Sequence, residues 1–276
     1  MKVTCVVDDA VQRSSPFWGE HGVAFLIETA DGRVLFDTGQ SGTVLMHNLD
    51  VLGVAPQTID AVAISHGHYD HAGGLPALLE DLDPGTALYA NPDLFRERYS
   101  IRGGALEPVG MPLTEEELTS EVSLVLQAGH QEIMPGIWTT GEITERPEKE
   151  GSSSHHRMRE GGDVVQDRYL DDMALVLALG GRLTLLCGCC HAGLLNSLAH
   201  AERLFEQPVE AIAGGLHLAS ANDEELGYIC GELQARPALQ HIYPNHCTGE
   251  AAFVALTNAL GSSMVHPFPA GTTVEL

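Results

Sequence analysis

Basic residues are scarce in this chain. Lysine and arginine together number 14 against 38 aspartates and glutamates, a formal net charge of −24 over 276 residues. So acidic a surface repels phosphate backbones and anionic lipid, which argues against nucleic acid and against a membrane surface as partners. Long apolar runs are missing too: no stretch reaches the roughly 20 residues that a membrane-spanning helix needs. Met1-Lys2-Val3-Thr4-Cys5 opens straight into a strand pattern without an apolar leader core. No Ser/Gly linker or charge block separates two cores, so one domain over 1–276 is expected. The six cysteines do not form a disulfide framework, because Cys187, Cys189 and Cys190 crowd together. A reducing cytoplasm is therefore the expected compartment. The hydrophobic share, 44%, is that of an ordinary globular protein with a sizeable core.

What is present is concentrated in one run, Ser65-His66-Gly67-His68-Tyr69-Asp70-His71-Ala72-Gly73-Gly74. It follows the apolar stretch Ile59 to Ile64, which reads as a buried strand. On a strand-to-loop turn, His66 and His68 project to one side and can grip one divalent ion. Asp70 and His71 stand where the chain turns into a helix, within reach of a second. Imidazole and carboxylate suit zinc first, with iron or manganese as alternatives, and the lack of a thiolate within the run argues against a purely structural zinc site. Buried histidine and aspartate are costly unless paired or metallated, which favours a metal site over a polar loop. Gly73-Gly74 lets the following helix pack close behind the donors.

Along the rest of the chain strands and helices alternate, an α/β pattern. Val3 to Val7 and Gly22 to Glu28 read as strands, and Asp31-Gly32 as a hairpin turn into Arg33 to Asp37. Thr43 to Leu52 has helical spacing, and Leu75, Leu78, Leu79 and Leu82 form the buried stripe of the helix after the metal run. Met173 to Leu179 and Leu183 to Cys187 form a second hairpin, followed by a helix from Ala192 to Phe205. Strands at Val209 to Ala213 and His241 to Tyr243 alternate with helices at Asp223 to Ala235 and Gly249 to Leu260. Two insertions break the rhythm, near 91–121 and 142–172. The second is expected to be a mobile loop or lid, with Arg157, Arg159 and Arg168 as candidate anion contacts. Glu115-Glu116-Glu117 reads as a solvated helix start.

His191, His217 and His246 each follow a short apolar strand, and residues beyond strand ends converge on one edge of an α/β sheet. His217 is expected to face the substrate or an anionic group, with direct metal binding as the alternative. Asp37 is placed to orient a metal-binding imidazole from behind, since such carboxylates fix the tautomer. Thr248 and Gly249 open the last helix, either to hold an anion with its amides or simply as a cap.

These segments resemble a known family. His-x-His-x-Asp-His after a strand, preceded by Phe36-Asp37-Thr38-Gly39, resembles the metallo-β-lactamase superfamily. Gly19-Glu20-His21-Gly22, Cys187-Gly188-Cys189-Cys190-His191-Ala192-Gly193, Gly214-Gly215-Leu216-His217-Leu218 and His246-Cys247-Thr248-Gly249 are similar to the branch named after 7,8-dihydropterin-6-methyl-4-(β-D-ribofuranosyl)aminobenzene 5′-phosphate synthase. The resemblance runs from about Val3 to Val274. It implies a four-layer αββα sandwich, with His191 and His246 completing a metal set of His66, His68, Asp70 and His71. It also implies that Glu20 and His21 lie near the site mouth, as substrate contacts beside His217 and Thr248.

Two departures stand out. Many superfamily members carry an aspartate bridging both metals, where Cys187-Gly188-Cys189 stands here. Cys189 is open to three readings: a soft ligand, an oxidisable thiol behind the ligands, or a small buried apolar residue. The separate histidine of a Gly-His-x-x-Gly-His segment is missing, and His130 is a weak substitute.

Two adjacent divalent cations polarise a carbonyl or phosphoryl oxygen and lower the pKa of bound water toward about 7, supplying hydroxide at neutral pH. Asp70 and His217 are the catalytic candidates, one holding the attacking water and the other serving the leaving oxygen. The expected function is hydrolysis of an ester, lactone or phosphoester of a small molecule, phosphate-bearing ligands included. The alternatives are a dihydropterin-type transferase displacing diphosphate, and a non-catalytic metal-containing sensor. Substrate and oligomeric state are not readable from the sequence.

Overall fold

The strand at Ala24–Glu28 is apolar at four consecutive positions because both of its faces are covered. In the computed structural model, which describes residues 1–276, it lies inside a seven-stranded sheet. The spatial order is Thr273–Glu275, Lys2–Val7, Ala24–Glu28, Arg33–Phe36, Ala61–Ala63, Ala87–Ala90 and Ser123–Leu126. The first four pair antiparallel and the last four parallel. A six-stranded sheet packs against it, in the order His241–Asn245, Val209–Gly215, Arg182–Cys187, Ala174–Leu179, Ile137–Thr139 and Gln131–Met134.

Three cores hold the layers. Between the sheets, Phe25, Phe36 and Ile27 meet Leu175, Leu177 and Leu186, and each such side chain contributes on the order of 1.5–3 kcal/mol by leaving water. Outside the first sheet, Leu45 and Leu49 of the helix Gly42–Val51 join Leu75 and Leu78 of the helix Leu75–Asp81. Outside the second, Leu198, Leu226 and Leu256 come from the helices Leu194–Phe205, Asp223–Gln234 and Glu250–Leu260. The result is the helix–sheet–sheet–helix sandwich expected from the sequence. Gly73 and Gly74 allow the close approach anticipated for them: a Cβ there would stand 2.1 Å from the Gln40 carbonyl oxygen and 2.2 Å from that of Thr38.

The two insertions differ from expectation. Rather than a loose lid, they fold together as a four-stranded antiparallel sheet, Asp163–Gln166, His156–Glu160, Arg98–Arg102 and Ala105–Pro108. Glycine pairs at 103–104 and 161–162 make the two tight turns. Its anchor is Arg98, fully buried, whose Nη2 lies 2.6 Å from Asp171 Oδ1 and 3.2 Å from Asp93 Oδ2. Arg98 Nε stands 3.2 Å from Asp167 Oδ2 as an ion pair outside hydrogen-bond alignment. Periodicity misses this sheet because half of its residues face water, and its middle pair joins strands more than 50 residues apart. Glu115–Glu121 is the solvated helix anticipated, closed by a Thr114–Glu117 capping box.

Candidate metal centre

Ala61–Ala63, Arg182–Cys187, Val209–Gly215 and His241–Asn245 all end toward the same edge of the sandwich. The last three are parallel neighbours in register. Each delivers a histidine-bearing turn, and their imidazoles meet in two groups. In the first, His66 Nε2 lies 3.0 Å from His68 Nδ1. The His191 ring centroid is 4.8 Å from that of His66 and 5.1 Å from that of His68. In the second, Asp70 Oδ2 lies 3.7 Å from His71 Nε2 and 3.6 Å from His246 Nε2. Cys189 belongs to both: its Sγ is 3.2 Å from His71 Nε2, and donors of His66, Cys189 and His191, like those of His71, Cys189 and His246, lie within 4.8 Å of one another.

Hydrogen bonds at the outer nitrogens turn the inner ones toward the centre. The Ser65 hydroxyl donates to Asp37 Oδ2 at 2.7 Å, so its oxygen accepts from His66 Nδ1 at 2.9 Å. His71 Nδ1 donates to Asp37 Oδ2 at 2.7 Å, His191 Nδ1 to the Gly151 carbonyl at 2.9 Å, and His246 Nδ1 to Asp9 Oδ2 at 2.7 Å. Each of these imidazoles thereby presents an Nε2 lone pair inward, the tautomer a metal requires. Nε2 of His191 and of His246 is buried without any hydrogen-bond partner. Orphaned donors facing a shared thiol and carboxylate fit a divalent ion and are costly without one.

The electrostatics agree for four of the five imidazoles; at His71 burial acts to lower the pKa but Asp37 and Asp70 outweigh it and raise it. Burial holds His66, His68 and His191 well below the ordinary histidine range, in the neutral form that ligates. His246 is lowered by burial as well, against the opposing pull of Asp9. For Asp70, burial acts to raise the pKa, but His71, His246, His68 and His21 outweigh it and bring it to about 2. Burial pushes the Cys189 thiol up, so a thiolate there needs a cation beside it. Strain gathers at the same place: Asp37, Tyr169, Cys190, His217 and His246 all carry positive φ, between 46° and 59°.

His217 stands at the rim, its ring centroid 4.4 Å from that of His191, and burial lowers its pKa to about 4. It opens on a cleft of about 100 Å³ lined by Leu194, Leu216, Leu218, Tyr228 and Lys149. His21 Nε2 lies 3.3 Å from Asp70 Oδ2, with half of its side chain exposed. Two other expected substrate contacts are elsewhere. Glu20 accepts from Ser41 N at 2.9 Å and from Ser41 Oγ at 2.6 Å, at the start of the helix Gly42–Val51. Thr248 is buried and accepts from Leu216 N at 3.2 Å, so it braces the His217 turn; Gly249, not Thr248, caps the last helix. His130 packs beside Trp138, outside both groups.

Several site residues were not anticipated. Tyr169 stacks on His191 with centroids 4.1 Å apart and donates to His156 Nδ1 at 3.0 Å. The His156 ring lies 4.9 Å from that of His68, so the inserted sheet forms a wall of the centre. Ser65 and Asp9 hold imidazoles, and Asp172 Oδ2 accepts from Ala192 N at 2.8 Å next to His191. Asp9 follows a strand end and Ser65 opens the histidine run, so both could have been found from position alone.

Residues 18–147, a little under half of the chain, match the family model of the metallo-beta-lactamase superfamily, whose members the chain resembles. Over 260 residues it is 28% identical to the 7,8-dihydropterin-6-methyl-4-(beta-D-ribofuranosyl)-aminobenzene-5'-phosphate synthase of Methanocaldococcus jannaschii, covering 90% of this chain and 88% of that one. A solved metal-dependent hydrolase of the beta-lactamase superfamily superposes over 100% of this chain and 99% of its own, with a TM-score of 0.84 and 27% identity. Zn(2+)-bound PqqB from Methylobacterium extorquens shares the fold over 100% of both chains, with a TM-score of 0.60 and 11% identity.

Proposed function

We propose that this protein is a metal-dependent hydrolase of a small-molecule ester, lactone or phosphoester. His66, His68 and His191 would hold one divalent ion, and Asp70, His71 and His246 a second, with Cys189 between them. The observation that carries this is the pair of donor groups meeting at Cys189, with inward-facing Nε2 atoms fixed by bonds at Nδ1. A thiol in the set favours zinc or iron over manganese. When bound, the ions supply polarisation of a carbonyl or phosphoryl oxygen and acidification of water.

The chain's own groups do the rest. Asp70, ionised at neutral pH, accepts a hydrogen bond from the attacking water and orients it. As the bond from the water oxygen to carbon or phosphorus forms, the bond to the leaving oxygen breaks and that oxygen takes up the proton that the attacking water gives up. His217 is neutral at pH 7, so it serves this step as a hydrogen-bond donor rather than as an imidazolium acid. The small cleft beside His217, lined by Leu194, Leu216 and Leu218 but also by Lys149 and Glu225, offers part of a substrate a mixed apolar and polar contact. The reading also takes the whole chain as one domain in the cytoplasm. In support, all six cysteines are free and no helix is long and apolar enough to cross a membrane.

A second reading, transfer of a dihydropterin methyl group to an arylamine with release of diphosphate, is favoured by the likeness to the synthase over 90% of the chain. A non-catalytic sensor is disfavoured because every expected imidazole donor lies at the centre. The deciding experiment pairs metal analysis with a panel of esters, lactones, phosphodiesters and a dihydropterin-methyl diphosphate, each with and without an arylamine. Hydrolysis predicts turnover with water alone, lost in Asp70→Asn, and one to two equivalents of metal, with at least one lost in the His66→Ala, His68→Ala double variant. Turnover only with the arylamine reverses the ranking, and full metal content in the double variant rejects the donor assignment.

A further inference from the structure

We propose that His21 is a further protein ligand of the ion held by Asp70, His71 and His246, and that Asp9 is the clamp that positions it. The inference rests on the two-ion reading above and adds a donor from the first loop of the chain.

Three imidazole nitrogens surround one carboxylate oxygen. His21 Nε2, His246 Nε2 and His71 Nε2 lie 3.3, 3.6 and 3.7 Å from Asp70 Oδ2. Neighbouring donors bound at about 2.1 Å to a five-coordinate ion, Cys189 being the fifth, stand about 3.0–3.6 Å apart. The three separations lie within that range or just above it, and His21 matches it as well as the two histidines already assigned. The His246 side chain is only 1% exposed and its Nε2 has no hydrogen-bond partner, which points to a ligand at this spot.

Asp9 makes the arrangement rigid. Its Oδ1 accepts from His21 Nδ1 at 2.9 Å and its Oδ2 from His246 Nδ1 at 2.7 Å, so one carboxylate grips both rings. These bonds fix the Nδ1–H tautomer in each and aim both Nε2 atoms at Asp70. The backbone contributes as well: Val23 N donates to the Asp70 carbonyl at 3.3 Å. Gly22, with φ of 129°, allows that approach, since a Cβ would come within 2.3 Å of the same carbonyl oxygen. The loop is thus pinned against the metal run. His21 remains 52% exposed, so it is the donor nearest solvent and the one an incoming substrate meets first.

The test is competition of the metal-loaded protein with a graded chelator, together with the visible spectrum of the cobalt(II)-substituted protein. In His21→Ala, one of the two equivalents should be lost at least tenfold more readily and its cobalt bands should change, while the other equivalent keeps its wild-type affinity. Asp9→Asn should weaken the same equivalent by about 10- to 100-fold, the range for a lost outer partner. An unchanged unfolding midpoint for the half-exposed His21 variant would exclude misfolding. Two equivalents with wild-type affinity and spectrum in His21→Ala would overturn the proposal and leave His21 as a substrate contact, with the two-ion centre intact. A wild-type protein that holds no metal would remove both readings together.

Discussion

Asp37 Oδ2 lies 2.7 Å from His71 Nδ1, and neither side chain has any exposure to solvent. The same carboxylate also accepts from Ser65 N and from the Ser65 hydroxyl, each at 2.7 Å. One buried carboxylate thus takes three hydrogen bonds and passes order to two imidazoles, directly to His71 and through Ser65 to His66. In Asp37→Asn the amide nitrogen must face one of those donors, so either an imidazole flips or the turn at Ser65 shifts. Metal affinity should fall by about 10- to 100-fold. Isothermal titration of the two proteins with zinc reads this directly, and equal affinities would show that Asp37 only shapes the turn.

Acid should weaken the metal-free protein already between pH 7 and pH 5. His66, His68, His156, His191, His200, His217 and His246 are all lowered from 6.5, mainly by burial. A lowered imidazole pKa means that the unfolded chain binds the proton first. Its contribution is therefore whole above pH 6.5 and is lost as pH falls toward the folded value. For His217, from 6.5 to about 4, that loss reaches about 3 kcal/mol. Asp8 and Asp171, raised by burial to about 7, and Asp172, raised to about 6, act the other way, gaining stability as pH falls through those values. His21 and His71 are raised, so their contribution is whole below 6.5 and is lost only above it. Seven lowered imidazoles outweigh three raised carboxyls. The urea midpoint of the metal-free protein should drop between pH 7 and pH 5, and a midpoint that rises over that interval would refute the balance.

The proposed donors could be singled out in the sequence because they sit in one dense run and just beyond strand ends. Both positions are dictated by local pattern and by the geometry of parallel strands. Cys189 was visible as a substitution, but only the packed structure shows its thiol between the two groups. Glu20 was misplaced because its partner, Ser41, lies 21 residues away and no periodicity links a loop carboxylate to a distant helix start. His156 and Tyr169 were missed because their segment reads as charged and irregular. Its glycine-pair turn between short strands was a readable hairpin sign, whereas the pairing of Met158 with Arg98 across the two insertions was not.

Arg98 ties that inserted sheet to the metal run, since Asp171 accepts from Arg98 Nη2 through one oxygen and from Gly67 N, at 2.7 Å, through the other. Arg98→Ala leaves buried carboxylates unpaired and should destabilise the protein by about 3–5 kcal/mol. Loss of metal affinity should accompany it, because Gly67 lies between His66 and His68. Denaturant unfolding and zinc titration on one preparation test both, and a stable variant with weak metal binding would separate the two roles. Arg98→Met, which fills the space without the charge, should not restore either property while Asp167 and Asp171 remain.

The arginines of the inserted sheet should not matter for anionic ligands, contrary to what the sequence suggested. Arg157 donates to the carbonyls of Ser154 and His156 and to Gln166 Oε1 at 2.6–2.9 Å. Arg159 pairs with Glu97 at 2.7 Å and lies over the Tyr99 ring at 5.6 Å, while Arg168 pairs with Glu160. Each guanidinium is already engaged inside its own sheet or with the neighbouring strand, on exposed faces where solvent screens such pairs. What the sheet offers to the centre is His156 and Tyr169, not positive charge. The Arg157→Ala, Arg159→Ala double variant should therefore keep its affinity for inorganic phosphate and phosphate esters within about twofold, with metal content unchanged and little loss of stability. A drop of tenfold or more in phosphate affinity at unchanged metal content would return these arginines to the substrate and make the inserted sheet a lid that closes over it.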